Sequence, residues 1–222
     1  MDAHTEPTPA TPETPANTLN IGVLLFHQVH ELDAIGPYSA MASARQFLDD
    51  SQALNVYTLA KSRNSVESSG GIVITPTWAF ASAPTPDVLL VPGGAGVYAA
   101  QRDKALMSYL RDAEPHLQLF TSVCTGALIL GELGLLRDKR ATTWAGKQSL
   151  LWDYQVAEIV DARVVKNPAQ GQQPPIWCAG GVSAGIDMGL SIIEAFFGAG
   201  IANKAAVQIN YPFWTAETSE VS

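Results

Sequence analysis

The chain has 222 residues, 47% of them hydrophobic, which suffices for one large core and one domain. A net charge of −8 argues against nucleic acid or an anionic membrane surface as partner. Two distant cysteines make no secreted disulfide framework and point to a reducing cytoplasm, and no apolar run is long enough to cross a bilayer.

Residues 1–19, rich in Pro, Thr, Glu and Ala and without an apolar signal core, read as a disordered leader, and residues 215–222 as a flexible tail. Residues 20–214 then form the single domain. Residues 21–26 (IGVLLF) suit a strand buried on both faces. A polar loop over 27–32 leads to Asp33, and Pro37 fits the first turn of a helix that continues over 38–48. Residues 54–60 alternate as a second strand, and 66–74, broken by Gly70-Gly71, form a hairpin arm. A buried strand over 87–91 (DVLLV) ends in the tight loop Pro92-Gly93-Gly94-Ala95-Gly96. After a helix over 104–114, the apolar, β-prone run 117–123 goes straight into Cys124, and small and aliphatic residues at helical spacing follow over 125–134. A short strand over 140–143, a short helix over 146–152 and strands over 162–166 and 176–179 come next. Gly180-Gly181 opens helices over 183–197 and 199–209. Strands alternating with helices mean a mostly parallel sheet covered on both sides, a three-layer α/β sandwich.

Strand, one polar residue, helix is how a chain holds a nucleophile above a parallel sheet, so Ser122-Val123-Cys124-Thr125-Gly126 reads as a nucleophile elbow with cysteine in place of serine. The N-terminus of the following helix favours thiolate over thiol, and such a turn often strains the backbone. The alternative is a buried, inert cysteine; Cys178, beside Trp177 in an apolar strand, fits that description better. Ligands of such sheets sit outside the carboxyl ends of the strands, where the loops carrying Asp33, Gly93-Gly94 and Cys124 converge, with Gly181 as a further wall.

A cysteine hydrolase needs an imidazole, yet His4, His27, His30 and His116 all precede the cysteine. His4 lies in the leader, His116 falls at the far end of the cysteine strand, and His27 and His30 read as solvated loop residues. The carboxylate near the thiol is Asp33, either a helix N-cap or an acid–base partner that resists ionisation beside a thiolate. Glu31 points elsewhere. Thr125 can donate a hydroxyl hydrogen bond or simply supply polarity to a first helical turn, and Gly93 and Gly94 can lend N–H donors to a developing negative charge. Asp187, in a first helical turn, serves the helix dipole. Ile35, Trp144 and Val182 suggest apolar walls for a small uncharged organic ligand, although Trp78, Trp144 and Trp152 also read as packing or as part of a dimer seam.

At these residues the chain resembles the ThiJ/PfpI superfamily, of class I glutamine amidotransferase-like, flavodoxin-type fold. The matching segments are Leu32-Asp33 with Gly36-Pro37, Val91 to Gly96, Thr121 to Ala127, Gly134-Leu135-Leu136, Arg140 to Thr143 and Gly181 to Asp187. The Cys-Thr-Gly elbow with an aspartate after the first strand is similar to the isonitrile (isocyanide) hydratase branch. That resemblance implies Cys124 as nucleophile, Asp33 and Thr125 in support, Gly93, Gly94, Ile35, Gly181 and Val182 around the substrate, a homodimer, and no metal or organic cofactor. It implies water addition to an isocyanide through a thioimidate, giving an N-substituted formamide. The other readings are a cysteine redox or stress sensor and a glyoxalase- or deglycase-like enzyme, the latter disfavoured by the absence of a downstream histidine. The branch commonly reads Ala-Thr-Thr-His-Trp where this chain has Ala141-Thr142-Thr143-Trp144. The same elbow occurs in sensor domains of AraC-type regulators, but these need a basic helix-turn-helix extension for which residues up to Ser222 leave no room.

Overall fold

The structure, a computed structural model, describes residues 18–49 and 52–212; His4, the leader up to residue 17 and the tail fall outside the described residues. The chain alternates β1 (Thr18–Leu24), α1 (Glu31–Ser43), β2 (Ala53–Ala60), an arm of β3 (Val66–Glu67) and β4 (Val73–Ile74), β5 (Trp78–Ala79), β6 (Val88–Val91), α2 (Val97–Arg102) and α3 (Lys104–Ala113). It continues through β7 (Leu119–Val123), α4 (Gly126–Glu132), β8 (Arg140–Ala141), a 3-10 segment (Ala145–Tyr154), β9 (Glu158–Ile159), β10 (Val164–Asn167), β11 (Ile176–Ala179), α5 (Ala184–Phe197) and α6 (Ala199–Gln208).

A seven-stranded sheet in the order β10-β11-β7-β6-β1-β2-β5 forms the middle layer. It is parallel except for β10, which pairs antiparallel with β11 at the edge. The inner strands β6 (VLLV) and β7 (LFTSV) are buried at every position because helices cover both faces. Helices α1, α5 and α6 pack together as one layer, and α2, α3 and α4 as the other. From β1 the chain first builds outward through β2 to β5, then returns to add β6, β7 and β11 on the opposite side of β1. The order therefore reverses between β1 and β6, and a crevice opens there at the carboxyl ends of the strands.

Helix α1 begins at Glu31, well before Pro37, so that proline sits inside the helix and Asp33 lies in its first turn, not at its N-cap. The N–H that proline lacks would have served the Asp33 carbonyl. The ring is accommodated because α5 presents glycine where it crosses α1: a methyl group on Gly189 would lie 2.8 Å from the Pro37 carbonyl oxygen, and one on Gly185 3.1 Å from the Pro37 ring. The two-residue strands β5 and β9 and the six-residue α2 are too short to show a periodicity in sequence.

Gly189→Ala is expected to destabilise the fold by about 1–3 kcal/mol through overpacking at this crossing, although alanine is favoured over glycine inside a helix by about 1 kcal/mol. Gly200→Ala, where a methyl group meets nothing within 4 Å, is expected to be neutral or to stabilise by up to about 0.5 kcal/mol. Urea denaturation of the two variants against the parent chain checks both signs.

Candidate active site

Cys124 occupies the single step between β7 and the turn into α4, with φ of 55°. A left-handed conformation in a non-glycine residue costs on the order of 1 kcal/mol, and the surroundings hold it in place. The Cys124 N–H donates to the Gly180 carbonyl at 2.8 Å and the Ala179 carbonyl at 3.1 Å, and the Thr143 hydroxyl donates to the Cys124 carbonyl at 2.6 Å. Gly126 permits the turn, because any side chain there would collide with the Val91 and Pro92 carbonyls.

Asp33, fully buried, reaches this turn from the first turn of α1 and lies close enough to the Cys124 thiol for each to shift the other's ionisation. Its Oδ2 accepts the Gly93 N–H at 3.1 Å. The Thr125 hydroxyl accepts the Gly94 N–H at 3.0 Å, leaving its own hydrogen to be donated to the sulfur. The two glycine N–H groups are thus engaged by Asp33 and Thr125 and are not free donors for an oxyanion. Glycine is required at 93 because a methyl group there would sit 2.5 Å from the Thr125 hydroxyl and 3.0 Å from Asp33 Oδ2.

Burial pushes the Asp33 carboxyl up from 3.8 to about 6, against the pull of His30 and of hydrogen bonds from Cys124 and Gly93. Burial and then the Asp33 charge push the Cys124 thiol up from 9.0 to about 12, against hydrogen bonds from the Thr125 N–H and hydroxyl. This corrects the expectation of a lowered thiol. Cys124 is only 6% exposed, and the seven-residue α4 that follows does not outweigh desolvation and a neighbouring carboxylate. Both shifts oppose ionisation, so across the neutral range the pair resists giving up its last proton.

The sulfur opens on a cavity of about 380 Å³. Its apolar wall comes from Val97, Leu128, Val182 and the rings of Tyr98 and Trp144, and Thr125, Gly94, Lys147, Ser69 and His30 add polar groups. Of the residues expected around a substrate, Val182 and Gly94 line it, Gly93 sits behind the wall holding Asp33, and Gly181 lines a neighbouring crevice on the other side of Trp144. Ile35 faces outward on α1, 37% exposed, away from the cavity. Trp144 is part of the wall; it lies on Gly146, where a methyl group would come within 2.5 Å of the indole. Trp78 packs partly buried against the core, and Trp152 is exposed.

His30 is not a free loop residue. It precedes α1, its Nδ1 lies 3.6 Å from Asp33 Oδ1, and it lines the cavity. His27 is exposed, and His116 lies at the opposite end of β7 from Cys124. Glu31 turns away to accept the Gly70 N–H of the arm at 3.1 Å. Asp187, itself buried, pairs with the half-exposed Arg163 and accepts the Tyr211 hydroxyl at 3.0 Å, partners that explain it better than the helix dipole. Cys178 is fully buried in β11. Sequence patterning did not reveal Tyr98 and Lys147, which reach the cavity from α2 and the 3-10 segment. Among the described residues no group of His, Cys, Asp and Glu is arranged to hold a metal, and no helix is long and apolar enough to cross a membrane.

The model of the DJ-1/PfpI family matches residues 20–195. The chain is 38% identical over 193 residues to isonitrile hydratase from Pseudomonas putida, an alignment covering 87% of this chain and 78% of that protein. The crystal structure of a ThiJ/PfpI family protein from Pseudomonas syringae superposes with a TM-score of 0.76 at 27% identity, over 96% of this chain and 85% of that one. The crystal structure of DJ-1beta from Drosophila melanogaster superposes with a TM-score of 0.71 at 20% identity, over 87% of this chain and 97% of that one, a likeness of fold alone.

Because the folded-state pKa of Asp33 is raised, ionising it opposes folding: the contribution of this group to stability is fully present below the free-carboxyl value of 3.8 and is lost as pH rises through about 6. Asp33→Asn is therefore expected to stabilise the protein near neutrality, by on the order of 1–3 kcal/mol relative to its effect in acid. Urea denaturation of both proteins at neutral pH and below the free-carboxyl value measures that difference.

Proposed function

The chain belongs to the DJ-1/PfpI family, and from that we propose that it is a cysteine-dependent isonitrile hydratase, adding water to a small isocyanide to give an N-substituted formamide. The observation that carries this reading is the Cys124 thiol at a mainly apolar cavity with the buried Asp33 carboxyl behind it, both held against ionisation. An isocyanide carbon must gain both a sulfur and a hydrogen, and a thiol beside a carboxyl supplies both from one place. The similarity to the Pseudomonas putida isonitrile hydratase supports the same chemistry.

As the isocyanide R–NC arrives, the proton passes fully to Asp33, and the Cys124 thiolate, steadied by the Thr125 N–H and hydroxyl, bonds to the terminal carbon. Asp33 returns the proton to that carbon, which leaves the thioimidate R–N=CH–S–Cys124 and an Asp33 carboxylate. Water then adds to the carbon, nitrogen gains a proton, and loss of the sulfur releases R–NH–CHO and restores the thiol. No amine leaves in this sequence, so no imidazole is required against the sulfur, and no metal or organic cofactor enters it. Val97, Leu128, Val182, Tyr98 and Trp144 suit a small uncharged organic group R. A reducing compartment such as the cytoplasm keeps the thiol free. A homodimer is supported by Leu32 and Ile35 of α1 and by Ile72 and Val73 of the arm region, apolar side chains that stand exposed. The raised thiol argues against a redox sensor, because oxidation follows thiolate character.

Purified protein is expected to convert cyclohexyl isocyanide to N-cyclohexylformamide, with Cys124→Ala at background and Asp33→Asn slower by about 100-fold or more. Activity in kcat/KM should fall as pH drops below about 6, where Asp33 takes up a second proton for the pair, and Asp33→Asn should lack that limb. Absence of turnover in the parent protein, or turnover that survives Cys124→Ala, contradicts the proposal.

A further inference from the structure

In the second half of the hydration, once Asp33 has protonated the carbon, a base must take a proton from water while the thioimidate fills the floor of the cavity. Asp33 is poorly placed for this. It has no exposed surface and is absent from the cavity wall, so it can serve a carbon bonded to the adjacent sulfur but does not meet water held in the cavity. Thr125 does line the cavity, but a hydroxyl that already accepts the Gly94 N–H is a weak base.

His30 has the missing properties. It lines the same cavity as Cys124, and its side chain is about one-third exposed (34%). Its Nδ1 is shielded from solvent and makes no hydrogen bond, and Asp33 Oδ1 is in the same condition 3.6 Å away. Two buried polar atoms without partners, one a potential donor and the other an acceptor, are costly apart and compatible together. A proton on Nδ1, facing the carboxylate, leaves the lone pair on Nε2. The remaining groups around Asp33 are Glu31, which is turned to the arm, the Gly93 N–H on Oδ2, and Cys124, so His30 is the group that faces Oδ1.

We infer that His30 is the base of the water step, its Nδ1 oriented by Asp33 and its Nε2 directed to water in the cavity. The inference rests on the hydratase reading and divides the labour within it. Asp33 and Cys124 carry out the addition to carbon; His30 and Asp33 carry out the hydrolysis. In the balanced step, Nε2 removes a proton from water as the oxygen bonds to the thioimidate carbon and the C=N electron pair moves to nitrogen. The imidazolium returns that proton to nitrogen, giving Cys124–S–CH(OH)–NH–R. The C–S bond then breaks, its electron pair stays on sulfur, the hydroxyl proton goes to the thiolate, and R–NH–CHO departs.

The test separates the two half-reactions. His30→Gln, and His30→Asn should the first fail to fold, are mixed with cyclohexyl isocyanide and followed by intact-protein mass spectrometry and by formamide release. The expected result is a Cys124 adduct heavier by the mass of one isocyanide that forms at the parent rate and persists, with formamide release slowed about 100-fold or more. Asp33→Asn should slow adduct formation itself, by about 100-fold or more, so that no adduct accumulates ahead of product. Parent-like formamide release in a folded His30 variant overturns this inference and leaves the hydratase reading intact, as does a folded variant that forms no adduct while the parent turns over. If the parent forms neither adduct nor formamide, the hydratase reading falls and this inference falls with it.

Discussion

A buried thiol beside a buried carboxyl, each held against ionisation, governs this site. Desolvation alone opposes charge on either group, and the charge on Asp33 further opposes charge on Cys124, so the doubly ionised pair is reached only far into alkali. Near neutrality the pair carries a single negative charge that can reside on oxygen or on sulfur. This arrangement keeps the nucleophile protected as a thiol until a reactant enters, and it keeps the proton beside the atom that must receive it. An imidazole against the sulfur would instead form an ion pair, the arrangement suited to expelling an amine.

The fold itself brings the two groups together. The sheet reverses its strand order between β1 and β6, and the loops leaving β1, β6 and β7 meet above that reversal. β1 delivers His30 and Asp33, β6 delivers Gly93 and Gly94, and β7 delivers Cys124 and Thr125. The loops approach more closely than side chains would allow. Glycine at 93 lets its N–H reach Asp33, and Gly94, at φ of 135°, lets its N–H reach Thr125. Lower in the molecule, glycines on α5 seat Pro37 and so fix how α1 crosses the sheet. The strain at Cys124 is held by the backbone of the β11 end and by Thr143.

Much of this is legible in the residues alone. Runs such as VLLV at residues 88–91 and IWCA at 176–179 announce buried strands, and the strand–cysteine–helix order announces the elbow. Burial was the harder quantity to read. The helix terminus after Cys124 suggests a low thiol, but whether a side chain is sealed from water depends on α1 and the Gly93 loop folding over it, and these lie far away in sequence. Pro37 misplaces the start of α1, because proline is tolerated mid-helix only where a partner such as Gly189 makes room. For the same reason Ile35 looks like a pocket residue in sequence and faces outward in the fold, while His30, a loop residue by type, lies against Asp33. Trp144 reads in sequence both as a pocket wall and as packing; it lines the cavity, and glycine at 146 leaves room for the indole.

The most direct measurement is the ultraviolet absorbance of the Cys124 thiolate as a function of pH, taken as the difference between the parent protein and Cys124→Ala. The account predicts no thiolate near neutrality, a midpoint near 12, and a lower midpoint once Asp33→Asn removes the carboxylate charge. A thiolate already formed below neutral pH, with a midpoint indifferent to Asp33, would contradict the thiol held against ionisation and the chemistry built on it.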